Sequence, residues 1–249
     1  MTQILLIGGS DNSGGAGVFA DMETVHGLGA KPTFAITAIT AQSDHLFFHT
    51  HTVPSKTLKA QLQATEMNQV GAIKIGMLPN KESIGVVSEF LSEHSEIPSV
   101  LDPVFTSSSG GTLSSYEGIA SLGSQLFPLI NIITPNIFEA CHLTKLGCVQ
   151  KEDLETLARA CRKMGANAVL VKGGHLPGNH CVDFLLSKDQ GNCFFERKRI
   201  PGGSEVRGTG CRLASAIAYH LAMGYNIMES VDRSCRYLSS YIEERVQCI

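Results

Sequence analysis

The sequence contains no tryptophan, and aromatic residues make up only 6% of its 249 positions. That is too sparse for a platform of stacked rings that would hold single-stranded nucleic acid. Charge points the same way. Twenty Lys and Arg stand against 23 Asp and Glu, and the net charge of −3 gives no attraction to phosphate backbones or an anionic membrane surface. No apolar run approaches the roughly 20 residues that cross a bilayer. The opening MTQILLIGGSDNSGG lacks a basic stretch before its apolar run, and reads as a first strand and its loop, not a signal peptide. The eight cysteines (141, 148, 161, 181, 193, 211, 235 and 248) include no C-x-x-C pair. They show neither zinc spacing nor a disulfide framework, so reduced thiols in a cytoplasm are expected.

What is present is a large apolar fraction, 43%, with 17% charged residues, in a length that one α/β domain can occupy. Short β-branched runs at Ile4–Ile7, Thr33–Thr37, Ala72–Ile75, Val100–Leu101, Ile132–Thr134 and Val169–Lys172 alternate with amphipathic stretches. The stretches near Ala16–Leu28, Ser55–Met67, Lys81–Ser92, Ser115–Leu126, Ile137–Leu146 and Leu154–Met164 predict helices. Strands apolar on both faces, separated by helices, predict an α/β fold with a mainly parallel central sheet and helices on both faces. Leu46–Val53 has period-2 character with no helix before it, and Val182–Leu186 with Phe194–Ile200 predict a hairpin. The last 40 or so residues are expected to be helical, and with no linker or repeat the whole of 1–249 is assigned to a single domain.

In such sheets ligands bind beyond the carboxyl ends of the strands, and the unusual residues fall there. Arg207-Gly208-Thr209-Gly210-Cys211 precedes an apolar helical run. Glycines let amides turn inward, and the following helix directs its unpaired N–H groups and positive dipole end at the same spot, which suits a phosphate. Cys211 lies in the first turn, where that field favours a thiolate; an ordinary loop before a core helix is the plainer reading. Gly8 to Gly17 forms a glycine-rich loop without the Gly-Lys-[Ser/Thr] of a Walker loop or a full G-x-G-x-x-G. It suits a flat small molecule lying against backbone, or a turn with Asp11 or Ser13 as helix cap. Asn136 and Glu139 read either as a capping box or as a pair that orders magnesium beside nucleotide phosphates. Lys172, before Gly173-Gly174-His175, suits a phosphate contact, Met77 suits the cover of a heterocycle or core packing, and Asp102 suits a metal or a turn. His49 and His51 share a strand face, but no third metal ligand accompanies them.

Seven segments together resemble the hydroxymethylpyrimidine and phosphomethylpyrimidine kinases of thiamine biosynthesis, within the ribokinase-like superfamily. They are GSDNSGGAGVFAD (9–21), ITAITAQ (36–42), VGAIKIGML (70–78), VLDPV (100–104), ITPNIFEA (133–140), AVLVKGGH (168–175) and RGTGCRLASAIA (207–218). The resemblance implies a ribokinase-like three-layer sandwich that transfers phosphate from ATP, with Mg2+, to 4-amino-5-hydroxymethyl-2-methylpyrimidine or its monophosphate. Carried over by position, Gly9, Asp21 and Gln42 would meet the aminopyrimidine, and Met77 and Val104 would line its pocket. Gly208, Thr209, Gly210 and Cys211 would form the anion hole, with Cys211 accepting the hydroxyl proton. Asn136, Glu139 and Lys172 would face the nucleotide, with Asp102 and Glu139 toward the metal. The resemblance also implies a homodimer. Pyridoxal kinase and a non-catalytic pyrimidine binder are the alternatives. The sequence departs from the family at Phe105–Gly110, where Ser108 replaces a flap lysine, and at Gly202-Gly203-Ser204, which replaces an Asp-Thr region. It departs again at Arg207, which stands for a histidine and offers a substitute positive charge.

Overall fold

The structure, a computed structural model, describes residues 1–43, 45–106, 110–147 and 150–247. In chain order the strands and helices are β1 (Gln3–Asp11), α1 (Gly17–Gly27), β2 (Lys31–Gln42), β3 (Phe47–Thr52), α2 (Ser55–Gln63), β4 (Val70–Ile75), α3 (Lys81–Glu93), β5 (Ser99–Leu101) and α4 (Tyr116–Gln125). Then follow β6 (Ile132–Ile133), α5 (Ile137–Thr144), α6 (Asp153–Lys163), β7 (Ala168–Lys172), β8 (His180–Ser187), β9 (Gly191–Lys198), α7 (Thr209–Ala222) and α8 (Ile227–Val246).

The nine strands among the described residues form one sheet in the order β3-β2-β1-β4-β5-β6-β7-β8-β9. Strands β2, β1, β4, β5, β6 and β7 pair in parallel, while β3 at one edge and the β8–β9 hairpin at the other run antiparallel. Alternation along each strand divides the apolar side chains between two layers. Leu5, Ile7, Ile73, Ile75, Leu101, Ile133, Val169 and Val171 pack with side chains of α2 to α6. Ile4, Leu6, Ala72, Val100, Ile132, Ala168 and Leu170 face the other way, against α1, α7 and α8. The fold is therefore the expected three-layer α/β sandwich, with helices on both faces. Side-chain caps start several of the helices: Asn80 and Ser83 make a reciprocal box at α3, as Asn226 and Glu229 do at α8.

The clearest difference from the sequence reading is the length of the first two strands. Pairing of β1 with β2 continues through Gly9↔Ala38, Ser10↔Ile39 and Asp11↔Thr40, so residues 8–11 are strand and not loop. Hydrogen bonding to a long neighbour keeps a glycine-rich segment extended where its local propensity favours a turn. Beyond the rest of the sheet, β2 pairs with β3, and a third small apolar cluster forms there from Ala38, Met77 and Leu113, with Phe47 and Val104 packed on it. His49 and His51 lie exposed on β3, and among the described residues no group of three or more potential ligands gathers to hold a metal. No described helix is long and apolar enough to cross a membrane.

Leu170, fully buried between the central sheet and α7, tests this layer. Leu170→Ala should lower the unfolding free energy by about 2–5 kcal/mol, read from the urea midpoint, with little change in activity per folded molecule.

Candidate active site

At or near the carboxyl ends of β4, β5, β6 and β7 stands a polar residue on the face that looks toward α7. On β4, Lys74 follows Ala72 by two positions; Asp102, Thr134 and Lys172 follow Val100, Ile132 and Leu170 in the same way. Period-2 alternation thus carries an apolar row outward until, at the carboxyl edge, it becomes a row of charge. Single backbone bonds extend the ladder to these positions: Asp102 N–H donates to Ile75, Thr134 N–H to Leu101 and Lys172 N–H to Pro135.

Lys172 Nζ donates to Asp102 Oδ1 at 2.6 Å, and Thr134 Oγ1 donates to the same oxygen at 3.1 Å. A Cβ placed on Gly210 would lie 3.1 Å from Lys172 Nζ and 3.6 Å from Asp102 Oδ2. Lys172 and Asp102 therefore border the turn that begins α7. Burial opposes the charge on Lys172, but Asp102 and Glu139 outweigh it and hold the ammonium above its ordinary range.

Gly208 supplies the N-cap of α7 at φ 69°, and no side chain caps the helix. A Cβ there would strike the carbonyl oxygen of Gly15, so the turn and the first loop meet backbone to backbone. That loop is held by Arg207, whose guanidinium donates to Ser13 Oγ at 2.9 Å and to Asp11 Oδ2 at 3.3 Å. The arginine offered by the sequence as a substitute positive charge is thus the brace between the first loop and the turn 208–211. Ser108, on the flap, lies outside the described residues.

Two expectations change. Burial first, with Asp21 and Asp102 adding to it, pushes the Cys211 thiol up to about 11. Lys74 and the Gly17 N–H act in the opposite direction without reversing the shift. The expected thiolate is therefore a thiol at neutral pH: a partial charge at a helix end does not offset desolvation plus two full negative charges. Asp21, expected at the aminopyrimidine edge, has no exposed surface. Both its oxygens accept from Lys74 Nζ at 2.7 Å, and Oδ1 also accepts from Ser215 Oγ at 2.8 Å. Burial raises the Asp21 carboxyl, while Lys74, despite its own burial, is held above the ordinary range by Asp21, Cys211 and Asp102. The two-point geometry is that of an ion pair.

A Cβ on Gly9 would sit 2.7 Å from Met77 Sδ, so the backbone of Gly9 lies close under the methionine, which packs with Val104 in one apolar corner. Gln42 is buried at the end of β2, its backbone N–H donating to Asn12 Oδ1 at 2.8 Å and its amide to Thr40 at 3.3 Å. Asn136 and Glu139 form the capping box of α5: Glu139 N–H donates to Asn136 Oδ1 at 2.9 Å, and Asn136 N–H to Glu139 Oε2 at 2.7 Å. The box does not remove Glu139 from the site. Burial, with Asp102, pushes its carboxyl up to about 7 against the pull of Lys172.

A magnesium ion carried by nucleotide phosphates keeps several waters and needs one or two protein carboxylates. Asp102 and Glu139 fit that demand, whereas an all-protein cage does not exist among the described residues. Sequence reasoning passed over Lys74, Ser215 and Thr134. Lys74 had a signal, since it is the one charge inside the apolar strand VGAIKIGML.

Residues 11–248 match the family model for phosphomethylpyrimidine kinase. The chain belongs to the phosphomethylpyrimidine kinase family. It is 36% identical over 244 residues to the hydroxymethylpyrimidine/phosphomethylpyrimidine kinase of Haemophilus influenzae, covering 96% of this chain and 90% of that protein. The crystal structure of phosphomethylpyrimidine kinase from Clostridium difficile superposes with a TM-score of 0.83 at 37% identity, over 97% of this chain and all of that one. Pyridoxal kinase from Staphylococcus aureus, in complex with pyridoxal, has a TM-score of 0.87 at 28% identity, covering 98% and 88% of the two chains. The phosphomethylpyrimidine kinase family thus accounts for the ribokinase-like sandwich, and the chain is a kinase.

Glu139 gives the site a pH signature. A carboxyl raised in the folded protein adds stability that is complete below its ordinary value of 4.5 and is lost as pH rises through about 7. Glu139→Gln keeps an acceptor for the cap and removes the titration. Urea midpoints at acidic and neutral pH should differ less in the variant than in the parent.

Proposed function

We propose that this kinase transfers the γ-phosphoryl group of ATP to the hydroxymethyl oxygen of 4-amino-5-hydroxymethyl-2-methylpyrimidine, or to the phosphate of the ester already formed. The observation that carries this reading is the convergence at one carboxyl edge of the uncapped α7 turn, the Lys172–Asp102 pair and the apolar corner of Gly9, Met77 and Val104. The Gly208–Cys211 amides and Lys172 are suited to the charge on the transferring group, because phosphoryl transfer relies on positioning and neutralisation. Met77 and Val104 offer an apolar surface to the ring, and Gln42 a donor and acceptor to its edge. Asn136 and Glu139 start α5 beside Lys172, where nucleotide phosphates would lie, with Arg207 steadying the loop opposite. Mg2+ held by Asp102 and Glu139 would neutralise those phosphates.

The substrate oxygen attacks the γ-phosphorus, the bond to the bridging oxygen of ADP breaks, and the substrate proton passes to Cys211 Sγ. A thiol at about 11 must first lose its own proton, so turnover should climb with pH through the alkaline range. The free thiols among the described cysteines suit a reducing cytoplasm, and by family analogy the working form is a homodimer with the whole chain as one domain.

ATP consumption with magnesium should be seen on hydroxymethylpyrimidine or its monophosphate, exceed that on pyridoxal, and fall at least a hundredfold in Cys211→Ala. Consumption on pyridoxal alone would assign the chain to its pyridoxal kinase neighbours instead. Tight pyrimidine binding with no ATP consumed would mark a non-catalytic binder.

Arg207→Ala should depress turnover far more than it depresses the melting temperature, because it frees the first loop from the turn without opening the core. Equal losses in both would reduce Arg207 to a stabilising contact.

A further inference from the structure

A buried charged cluster draws one residue from each of three elements. Lys74 of β4, Asp21 of α1 and Ser215 of α7 are each almost fully buried. Lys74 donates to both oxygens of Asp21 at 2.7 Å, and Ser215 donates to one of them at 2.8 Å. Their placement follows from periodicity. Lys74 shares the α7-facing row of β4 with Ala72, and Ser215 follows Cys211 by four residues, so the two lie on one helix face a turn apart. A Cβ on Gly76 would come 3.1 Å from Lys74 Nζ, which sets the ammonium at the end of β4, under the start of α7.

As packing, this cluster is an expensive choice. Taking an ammonium and a carboxylate out of water costs several kcal/mol per ion, and well-packed apolar residues often serve stability as well or better. A buried ion pair differs from apolar packing in its field, which low-dielectric surroundings screen poorly. The charged groups that act on Cys211 are Lys74 and Asp21 from within, and Asp102 and Lys172 from the sheet edge, with the Gly17 N–H donating to the sulfur. Among them Lys74 and Asp21 are sealed from solvent, whereas Lys172 keeps 13% of its side chain exposed, so the inner pair is the one out of a ligand's reach.

We propose that Lys74, with Asp21 and Ser215, is a positioning device for phosphoryl transfer: it anchors the first turns of α7 from inside and fixes an ammonium behind the Cys211 thiol. The inference rests on Cys211 as the proton acceptor proposed above. Lys74 acts through Cys211 and the turn, never on the substrate.

The test reads the thiol directly, without ATP. Alkylation of Cys211 by iodoacetamide is followed peptide by peptide across the alkaline range in the full-length protein. Asp21→Asn leaves the ammonium without its counter-charge, and Cys211 should alkylate several-fold faster at a given pH; one unit in thiol pKa is about tenfold in thiolate. Lys74→Met should slow it several-fold. Removing one partner of a buried pair is strongly destabilising, so Lys74→Met is backed by the double variant Asp21→Asn/Lys74→Met. Compared with Asp21→Asn, the double variant differs by the ammonium, and slower alkylation in it reports the same effect.

Opposite shifts from the two charges, with the alkaline limb of the kcat profile moving in parallel, bear the proposal out. Shifts in the same direction, or none, with only the melting temperature lowered, overturn it and leave a structural ion pair. If the parent protein consumes ATP on no substrate, the reading of function fails, while the sign of the alkylation contrast still decides whether Lys74 governs the thiol.

Discussion

Helix α7 begins at a glycine with no side-chain cap, and its first amides must find an acceptor outside the helix. The rest of the site is organised around that requirement. The backbone of the first loop closes on Gly208 from one side, Lys172 and Asp102 approach Gly210 from another, and Lys74 lies beneath. In the proposed reaction a phosphate would complete the arrangement, since it would satisfy several inward N–H groups at once at the positive end of the helix. Filling the space at Gly208 with a side chain would push the first loop away, so the glycine is a condition of the site and not only of the turn.

Charge in this region comes in balanced pairs. Lys172 with Asp102 and Lys74 with Asp21 each neutralise locally, and Arg207 binds Asp11 beside them. The pairing explains why the helix field alone does not make Cys211 a thiolate. Each ammonium brings a carboxylate, burial adds its own penalty, and the thiol ends up near 11. The same balance raises Glu139, whose carboxyl shares its surroundings with Asp102.

Apolar and polar chemistry meet at the outer end of β1 and β2. Those strands extend past their neighbours, and the extension builds the corner of Met77, Val104, Ala38 and Leu113 beside the charged edge. A flat, mostly apolar ring with a polar substituent needs both surfaces at once.

Hydrophobic alternation alone determined much of this molecule. Runs such as Val169–Lys172, apolar on both faces, dictate buried parallel strands, and 3.6-residue periodicity between them dictates helices above and below the sheet. Gly208 and Gly210 before an apolar helix mark the uncapped turn that opens α7, and Asn136 with Glu139 announces a capping box, because these are local effects of adjacent residues. The path of β1 through Gly8–Asp11 was not legible, since a glycine-rich segment becomes strand only when a long partner supplies its hydrogen bonds. Nor were the protonation of Cys211 and the true neighbours of Asp21. Both depend on which polar strand ends face α7, and that follows from register between strands up to 70 residues apart, as in the Lys172–Asp102 pair. Local sequence sets what each residue can do; only the fold brings Lys74 to Asp21, and desolvation then decides which charges survive.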